Sequence, residues 1–569
     1  MSVRRLITAF FVERLNDKKK IVLVSMQTNL FGEIETNGVK IEQAAKTANV
    51  STATIRNWVK TGYLTTLRKG LITQYSFDDF MLNVAGKEKL NSRANKLQKD
   101  EHRHEKVTDS IKQLFQKYRG EKIGVEYEKS LSESFRNKEG IYYTPSWIVE
   151  DMFKNIPASN SNTKFLDPCC GSGNFIIQAI KSGVSPENVY GFDVDENAVL
   201  ITKQRIKDEF GFDAKNIHVG DFLNEASELK KKNIVFDLIF TNPPWGKKIE
   251  KSDKERFAAL YDCGNSLDTT SLFMGASFSL LKQNGYLGFL IQEAFFNIAA
   301  FEDIRNRVAS KQILRLTDYG KAFKGLVTKA QSVIVTNSKP NPETVVECFY
   351  NQTSYNRLLS SFKNNPKQIL NFWVNEDESK VIDRLYSHNY TTLQGKAKWA
   401  LGIVTGNNEK YCRKTKESDN YIPVFKGADI TKNGLKEASN FILNDFSNFQ
   451  QVAPIEMYQA DEKLIYKFIS SDLCFFYDNQ QRFVLNSANI LIPTNINITA
   501  QQLADLLNSE ILNWLFKKLF STHKVLRGDL ELLPLHTEYF DTHDSFSEET
   551  YLKYLQIEKT ENGTFRIKN

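Results

Sequence analysis

The middle of the chain alternates short apolar runs with stretches of helical period. The apolar runs predict strands over residues 164–167, 189–193, 217–219, 236–241, 286–291, 314–318 and 331–336. Helices are predicted between them, for example over 174–181, 196–210, 270–282 and 300–308. This alternation predicts an α/β fold with a doubly wound, mostly parallel, seven-stranded sheet. In such a sheet, ligands bind where the strands end.

Polar side chains stand at these predicted strand ends. Asp167, Asp193 and Asp221 each close or follow a strand, and Asn242 follows a fourth. Because the carboxyl ends of parallel strands meet at one edge of a sheet, we expect these side chains to lie close together. The alternative is that these polar side chains are only hydrated at the ends of the strands, but four such ends in succession favour a ligand site.

A glycine turn joins the first predicted strand to a helix. Gly171 and Gly173 let the backbone approach a ligand closely, and the following helix presents unpaired N–H groups. The spacing differs from the dinucleotide fingerprint G-x-G-x-x-G. An acid before the turn, Asp167, suits a ligand with a positive ammonium group better than a pyrophosphate.

The tetrapeptide Asn-Pro-Pro-Trp at 242–245 carries the most specific chemistry. Asn242 supplies an amide oxygen, Pro243 a carbonyl and Trp245 a flat stacking face. Proline cannot donate a backbone hydrogen bond, so the turn is stiff and its carbonyls stay available. These groups suit an exocyclic amine on a planar heterocycle.

At these residues the chain resembles the S-adenosylmethionine-dependent DNA amino-methyltransferases, over roughly residues 127 to 337. The order of the motifs is that of the gamma class. The resemblance implies S-adenosyl-L-methionine as the cofactor. The residues that match the family's cofactor-binding motifs are Tyr143, Thr144, Pro145, Asp167, Pro168, Gly171, Gly173, Asn174, Asp193 and Asp221. Asp268 with Phe273 resembles a further element of that pocket.

The resemblance also implies the reaction and its catalytic residues. Asn242, Pro243, Pro244 and Trp245 match the catalytic motif, and Phe323 matches a second aromatic residue against the flipped base. The implied reaction is methylation of the N6 amine of adenine. Asparagine at the first position favours adenine, whereas tryptophan at the fourth departs from the usual tyrosine or phenylalanine, so cytosine-N4 remains an alternative. The alternative for Phe323 is that its ring only packs in the hydrophobic core.

The N-terminal part is basic and contains a second motif. Residues 1–140 carry 26 Lys and Arg against 17 Asp and Glu, a net +9, whereas the whole chain has +7. Residues 39–58 have the form of a helix-turn-helix, with Ser51 as the cap of the second helix and residues 63–75 as a possible hairpin wing. The segment resembles the winged motif of MerR-like regulators. The residues predicted to face a DNA groove are Thr52, Thr54, Arg56 and Asn57. A protein-docking helical hairpin is the alternative.

We predict four regions. They are a helix-turn-helix region at 1–90, a charged helical linker at 91–124, the catalytic domain at 125–345 and an α+β target-recognition domain at 346–569. The last assignment rests on residues 401–408, 422–430 and 523–527, which resemble segments of gamma-class recognition domains.

Composition excludes several classes. Six scattered cysteines indicate reduced thiols and no metal site. The absence of a long apolar run or secretory signal predicts a cytoplasmic protein without a membrane span. Residues 1–140 lack an E-x-K nuclease motif. The resemblance to the DNA amino-methyltransferases implies double-stranded DNA as the partner, and the missing nuclease motif predicts a restriction endonuclease that acts separately. Three alternatives remain: dependence on a separate specificity subunit, methylation of RNA or protein, and a role as a non-catalytic DNA-binding regulator.

Overall fold

The computed structural model describes residues 38–48, 50–60, 64, 66–68, 70–83, 111, 113–131, 142–247, 249–323, 326, 328–431, 434–520 and 524–568. The chain divides into two units, Met1–Gln113 and Leu114–Asn569. Within the described ranges, every helix is too short or too polar to span a bilayer.

In its described residues between 38 and 83, the first unit packs three helices with a small sheet. Its elements are β1 (Gly38–Lys40), α1 (Ile41–Thr47), α2 (Thr52–Lys60), β2 (Thr66–Arg68), β3 (Leu71–Thr73) and α3 (Gln74–Asn83). The antiparallel strands lie in the order β1-β3-β2. Ala44, Ile55 and Ile72 form the centre of its core. The assignment of this helix pair and sheet to a winged helix-turn-helix remains a prediction, and the predicted turn at Asn49 and the start of the wing at Tyr63 lie outside the described residues.

A nine-stranded sheet is the centre of the second unit. Its strands are β4 (Phe165–Asp167), β5 (Val189–Asp193), β6 (Ile217–Val219), β7 (Phe236–Thr241), β8 (Leu281–Gln292), β9 (Gln312–Asp318), β10 (Ala330–Thr336), β11 (Val345–Tyr350) and β12 (Thr353–Leu358). They lie in the order β12-β11-β9-β10-β8-β7-β4-β5-β6. Five of the eight pairings are parallel, so the predicted mostly parallel sheet is confirmed.

The predicted number of seven strands was wrong, because the hairpin β11–β12 extends the sheet. Asn351 and Gln352 form its two-residue turn and both have positive φ, 48° and 63°. Turns of this kind usually contain Asn-Gly or Asp-Gly, so the pair Asn-Gln gave no turn signal in the sequence. The hairpin carries the sheet past the predicted domain boundary at residue 345.

Helices cover both faces of this sheet, as a doubly wound fold requires. The helices are α4 (Glu121–Ser130), α5 (Ser146–Met152), α6 (Asn174–Lys181), α7 (Glu196–Phe210), α8 (Phe222–Lys231), α9 (Lys251–Leu260), α10 (Thr269–Leu280) and α11 (Glu302–Ala309). Apolar side chains of α5, α6 and α7 belong to one buried cluster, and those of α8, α10 and α11 belong to another. The helix α4 begins inside the segment predicted to be a linker.

The C-terminal part combines helices with small, mainly antiparallel sheets, in agreement with the α+β prediction. Its strands are β13 (Ala397–Leu401), β14 (Tyr421–Phe425), β15 (Ile430–Thr431), β16 (Gly434–Leu435), β17 (Phe441–Leu443), β18 (Lys463–Lys467), β19 (Phe475–Asp478), β20 (Phe483–Val484), β21 (Ala488–Pro493), β22 (Ile557–Lys559) and β23 (Phe565–Ile567). Its helices are α12 (Glu376–Ser387), α13 (Asn408–Tyr411), α14 (Ile455–Tyr458), α15 (Ala500–Leu507), α16 (Glu510–Leu519), α17 (Arg527–Leu530) and α18 (Glu548–Leu555). The largest sheet has the order β13-β21-β18-β19.

A fully buried ion pair joins two strands of that sheet and generates a stability prediction. The Lys463 ammonium donates to the Asp478 carboxylate at 2.5 Å and to the Tyr458 carbonyl at 2.6 Å. We expect Lys463→Met to lower the free energy of unfolding by roughly 1.5–3 kcal/mol, because buried Asp478 loses one charged hydrogen-bond donor and keeps the other, Arg482, whose guanidinium donates at 2.6 Å. Urea denaturation followed by circular dichroism measures this change.

Lys553→Met is the matched control, since Lys553 pairs with Glu549 at the surface, at 2.6 Å. Its cost should stay below about 1 kcal/mol. Equal losses of unfolding free energy in Lys463→Met and Lys553→Met would contradict a larger contribution from the buried pair.

Candidate active site

A cleft opens at the carboxyl ends of β4, β5, β6 and β7. It encloses about 740 Å³ of space, including the part open to solvent. The predicted site residues on its wall are Tyr143, Pro168, Gly171, Asp193, Asp221, Asn242 and Pro244. Thr144 and Asn174 line an adjoining hollow together with Tyr143, Gly171 and Asn242. The strand ends therefore bring most of the predicted residues together.

The glycine turn is required by both backbone conformation and packing. Gly171 has φ +49°, and a Cβ there would lie 2.7 Å from the Tyr143 ring. Gly173 precedes α6 with φ +87°, and a Cβ there would lie 2.8 Å from the Thr202 hydroxyl oxygen. Glycine alone adopts such backbone angles without strain and leaves room for these neighbours.

Asp167 is fully buried at the end of β4. Its Oδ1 accepts hydrogen bonds from the Thr241 hydroxyl at 2.7 Å and from the Cys169 backbone N–H at 3.1 Å. Its Oδ2 has no hydrogen-bond partner among the described residues. Burial raises the pKa of this carboxyl to about 7. Asp167 does not line the described cleft wall, but its chain neighbours Pro168 and Cys169 do, and a cation close to its unused acceptor would stabilise its charged form.

Asp193 ties the end of β5 to the glycine turn. Its two oxygens accept from the backbone N–H groups of Gly171 and Asp195, each at 2.9 Å. Burial raises its pKa to about 6. A carboxylate offers about four lone-pair positions, so this side chain can still accept from a ligand hydroxyl.

Two other predicted acids cap helices. Asp221 accepts from the Leu223 N–H at 3.0 Å at the start of α8, and its exposed side chain borders the cleft. Asp268 accepts from the Thr270 N–H at 2.9 Å at the start of α10. Of the predicted pair, Phe273 lies on the described cleft wall and Asp268 does not. Helix capping accounts for Asp268 without a role in binding.

The side-chain amide of Asn242 has a fixed orientation. Its Nδ2 donates to the backbone carbonyl of Tyr142 at 2.9 Å. A carbonyl oxygen only accepts, so the amide nitrogen must face it and the amide oxygen must point the other way. This Oδ1 is buried and has no partner in the described part of the chain. Such an unpaired acceptor costs roughly 1–3 kcal/mol, which a donor on a ligand would recover.

Two aromatic residues predicted to hold a base, Trp245 and Phe323, contact each other and do not line the described cleft wall. Trp245 is half-buried and donates from Nε1 to the Leu290 carbonyl at 3.4 Å. The Phe323 ring stands edge-on to Trp245, with centroids 5.3 Å apart at 87°, and lies 5.8 Å from the Tyr142 ring. Phe323 is buried in a core cluster, so core packing accounts for part of its placement.

The remaining predicted residues support the cleft from behind. The side-chain amide nitrogen of Asn174 donates to the Thr144 carbonyl at 2.7 Å, which holds the segment before α5 against the glycine turn. Pro145 precedes α5 directly, and Pro243 is buried after β7.

Sequence reasoning missed several residues of the cleft. Tyr142 contributes its backbone carbonyl, which no side-chain pattern reveals. Val194, Lys247 and Ile249 also line the wall. The last two follow the Asn-Pro-Pro-Trp turn within four residues, and that proximity was the only available signal.

In the first unit, the four predicted groove-facing residues lie on α2. Thr52 and Thr54 are half-buried and Arg56 is exposed, whereas Ile55 and Trp58 face the core. The Ser51 hydroxyl accepts from the Thr54 N–H at 3.1 Å, as expected for a helix cap. The side chain of Asn57 lies outside the described part, and so does His523 in the C-terminal segment.

Two protein-family models match the chain. N-6 DNA Methylase matches residues 120–376, and the TaqI-like C-terminal specificity domain matches residues 422–535. The first match contains the whole cleft, and the second lies within the predicted recognition domain. The nine-stranded sheet and the cleft with its Asn-Pro-Pro-Trp turn accordingly define a DNA methyltransferase.

Individual proteins extend this result. The Type II methyltransferase M.VspI from Vibrio sp. (strain 343) is 43% identical over 410 residues, which are 72% of this chain and 100% of that protein. The Type II restriction enzyme and methyltransferase RM.Eco57I from Escherichia coli is 23% identical over 53% of this chain and 41% of its own length. The solved Type IIL enzyme MmeI in complex with DNA covers 72% of this chain at 12% identity, with a TM-score of 0.48. The chain belongs to the N-6 DNA methylase family and is a site-specific methyltransferase.

The buried carboxyl of Asp167 makes a prediction about pH. Its pKa is about 7 in the folded protein and near 3.8 in the unfolded chain, so the folded state binds this proton more tightly. The resulting stability is full below pH 4 and is lost as the pH rises through 7. A tenfold difference in proton affinity between the folded and unfolded states corresponds to about 1.4 kcal/mol. As the pH is raised from about 5 to about 8.5 without ligand, the free energy of unfolding of Asp167→Asn should therefore increase by a few kcal/mol relative to that of the unaltered protein.

Thermal unfolding of the two proteins across this pH range measures the difference. The exposed Asp253→Asn is the control and should show no such trend, since Asp253 makes only surface contacts with Arg256. A constant difference between the melting temperatures of Asp167→Asn and the unaltered protein would contradict burial as the cause.

Proposed function

We propose that this chain transfers a methyl group from S-adenosyl-L-methionine to the N6 amine of an adenine flipped out of double-stranded DNA. We further propose that it is the modification enzyme of a type II restriction-modification system whose endonuclease is a separate chain. The observation that carries the proposal is the buried, unpaired Oδ1 of Asn242 in the wall of the cleft.

The cleft fits the cofactor in charge and shape. The unpaired Oδ2 of buried Asp167 suits an ammonium group, and Asp193 suits a ribose diol. Gly171 lets the cofactor approach the backbone, while Asp221 and Phe273 border the remaining space for an adenine ring. The further residues proposed to support cofactor binding are Tyr143, Thr144, Pro145, Pro168, Gly173 and Asn174. When bound, the cofactor supplies a methyl group on a positively charged sulfur.

The chain's own residues activate the target amine. The lone pair of the adenine amine is delocalised into its ring, which makes it a poor nucleophile. Asn242 Oδ1 and the Pro243 carbonyl accept the two amine hydrogens and so localise the lone pair on nitrogen. Nitrogen then forms a bond to the methyl carbon as the carbon–sulfur bond breaks, and the alignment of the two atoms supplies the catalysis. The methylated amine is a strong acid, so its extra proton leaves to water without a strong base.

The aromatic group holds the flipped base. Flipping costs a few kcal/mol, and stacking on an aromatic ring returns roughly 1–3 kcal/mol. We assign the stacking face to Trp245, whose ring Phe323 contacts edge-on, and Pro244 lines the cleft beside Asn242. Adenine fits both acceptors through its exocyclic amine.

The specificity domain supports a self-sufficient enzyme. Because the chain carries its own TaqI-like domain at residues 422–535, we propose that it reads its site without a separate specificity subunit. Thr52, Thr54, Arg56 and Asn57 are proposed to contact DNA from the first unit, where the exposed Arg56 suits a phosphate or a guanine edge.

Asn242→Ala tests the reaction. Removing the amide should lower single-turnover methyl transfer to unmethylated plasmid DNA by about 10²–10³-fold, the effect of losing one preorganised hydrogen-bonding group. Tritium transfer from labelled cofactor measures the rate, and isothermal titration with the cofactor should give an unchanged dissociation constant. The amide does not belong to the proposed cofactor contacts, which is why binding and transfer should separate.

Asn162→Ala, on an exposed turn, is the matched control and should leave both quantities unchanged. Near-normal transfer by Asn242→Ala would rule out the proposed mechanism. Loss of cofactor binding together with transfer would assign Asn242 to the structure of the cleft instead.

A further inference from the structure

The helix α4 packs against the glycine turn of the cleft, and its first turn falls in the segment predicted to be a linker. Gly124 touches the glycine turn so closely that a Cβ there would lie 2.4 Å from the Ser172 hydroxyl. The Glu121 carboxylate accepts from the Ser146 N–H at 3.1 Å, at the start of α5. The helix therefore forms part of the wall behind the cleft.

One side chain of α4 enters the hydrogen-bond network of the cleft. The Tyr127 hydroxyl is buried and donates to Asp195 Oδ2 at 2.7 Å. Asp195 caps α7 by accepting from the Asn197 N–H at 3.0 Å through its other oxygen. The backbone N–H of Asp195 in turn donates to Asp193 Oδ1 at 2.9 Å. A continuous chain of hydrogen bonds thus runs from Tyr127 through Asp195 to Asp193.

Two carboxylates two residues apart repel each other in a partly buried site. Capping α7 occupies only one oxygen of Asp195, so the cap does not explain the second bond, from Tyr127. A donor on that second oxygen offsets negative charge beside Asp193 and holds the backbone between the two acids. Tyr127 also lies near the cleft wall, since its ring centroid is 6.4 Å from that of Tyr143.

We propose that Tyr127 is a positioning residue for the cofactor: it holds Asp195 and, through Asp195, orients Asp193 toward a ribose hydroxyl. This inference rests on the proposed function, because it takes Asp193 as the ribose acceptor. Tyr127 acts through another residue and touches no reacting atom. It should therefore affect cofactor affinity and leave the chemical step unchanged.

The test uses the full chain with Tyr127→Phe, which removes only the hydroxyl group. The dissociation constant of S-adenosylhomocysteine should rise about tenfold, the effect of one hydrogen bond to a charged group. At saturating S-adenosylmethionine, the single-turnover rate of transfer should stay within about twofold of the unaltered protein. Isothermal titration and tritium transfer give the two quantities.

Analogues of S-adenosylhomocysteine without the 2′- or the 3′-hydroxyl separate positioning from a general structural effect. The unaltered protein should bind one of them about tenfold more weakly than the parent compound. In Tyr127→Phe, removal of that ribose hydroxyl should weaken binding by less than about threefold. The Tyr127 hydroxyl and the ribose hydroxyl support the same contact, so the effects of losing them are not additive. Equal weakening for the parent and both analogues would overturn the inference, and so would unchanged affinity.

Two further variants complete the test. Tyr458→Phe also removes a buried hydroxyl, one that donates to the Leu401 carbonyl at 3.0 Å, and should leave cofactor affinity unchanged. Asp195→Asn keeps an oxygen for the helix cap but cannot accept in the same way from Tyr127, so it should lose as much cofactor affinity as Tyr127→Phe. The double variant, Tyr127→Phe with Asp195→Asn, should bind the cofactor no more weakly than either single variant. If Asp193→Ala weakens binding and Tyr127→Phe does not, this inference fails alone. If Asp193→Ala also leaves affinity unchanged, the proposed ribose site itself is wrong.

Discussion

The hydrogen bond from the Asn242 amide to the Tyr142 carbonyl is the constraint on which the site depends. It forces the amide oxygen to remain unpaired in the cleft. The carbonyl is itself held in place, because Asn174 donates to the Thr144 carbonyl and accepts from Arg205 at 2.6 Å. The acceptor that we propose for the target amine is therefore built on the same network that shapes the glycine turn.

Burial gives the cleft its electrostatic character. Asp167 and Asp193 have raised pKa values because they lie in a poorly solvated place, and both become charged near neutral pH. A cationic ligand would compensate this cost. The same burial that destabilises the empty protein above pH 7 would therefore favour the binding of a cation.

The sequence predicted most of this site, because its evidence lies in side-chain identity at strand ends. Strand β7 and the turn that begins at Asn242 follow from an apolar run and two prolines. What the sequence did not reveal depends on backbone or on packing. Tyr142 acts through a carbonyl, the first turn of helix α4 was assigned to a charged linker, and the Asn-Gln turn of β11–β12 lacks a glycine. Asp268 shows the opposite error, because an acid before a helix serves equally as a cap and as a ligand.

The central claim is that Asn242 presents an adenine amine to the cofactor without help from another chain. The most direct measurement is modification-sensitive long-read sequencing of plasmid DNA from a methylation-deficient bacterial host that expresses this chain alone, beside a host that expresses Asn242→Ala. The account predicts N6-methyladenine at one short sequence motif, and unmodified DNA with the variant. Unmodified plasmid from cells that contain soluble, cofactor-binding protein would contradict self-sufficiency, and N4-methylcytosine would contradict the target base.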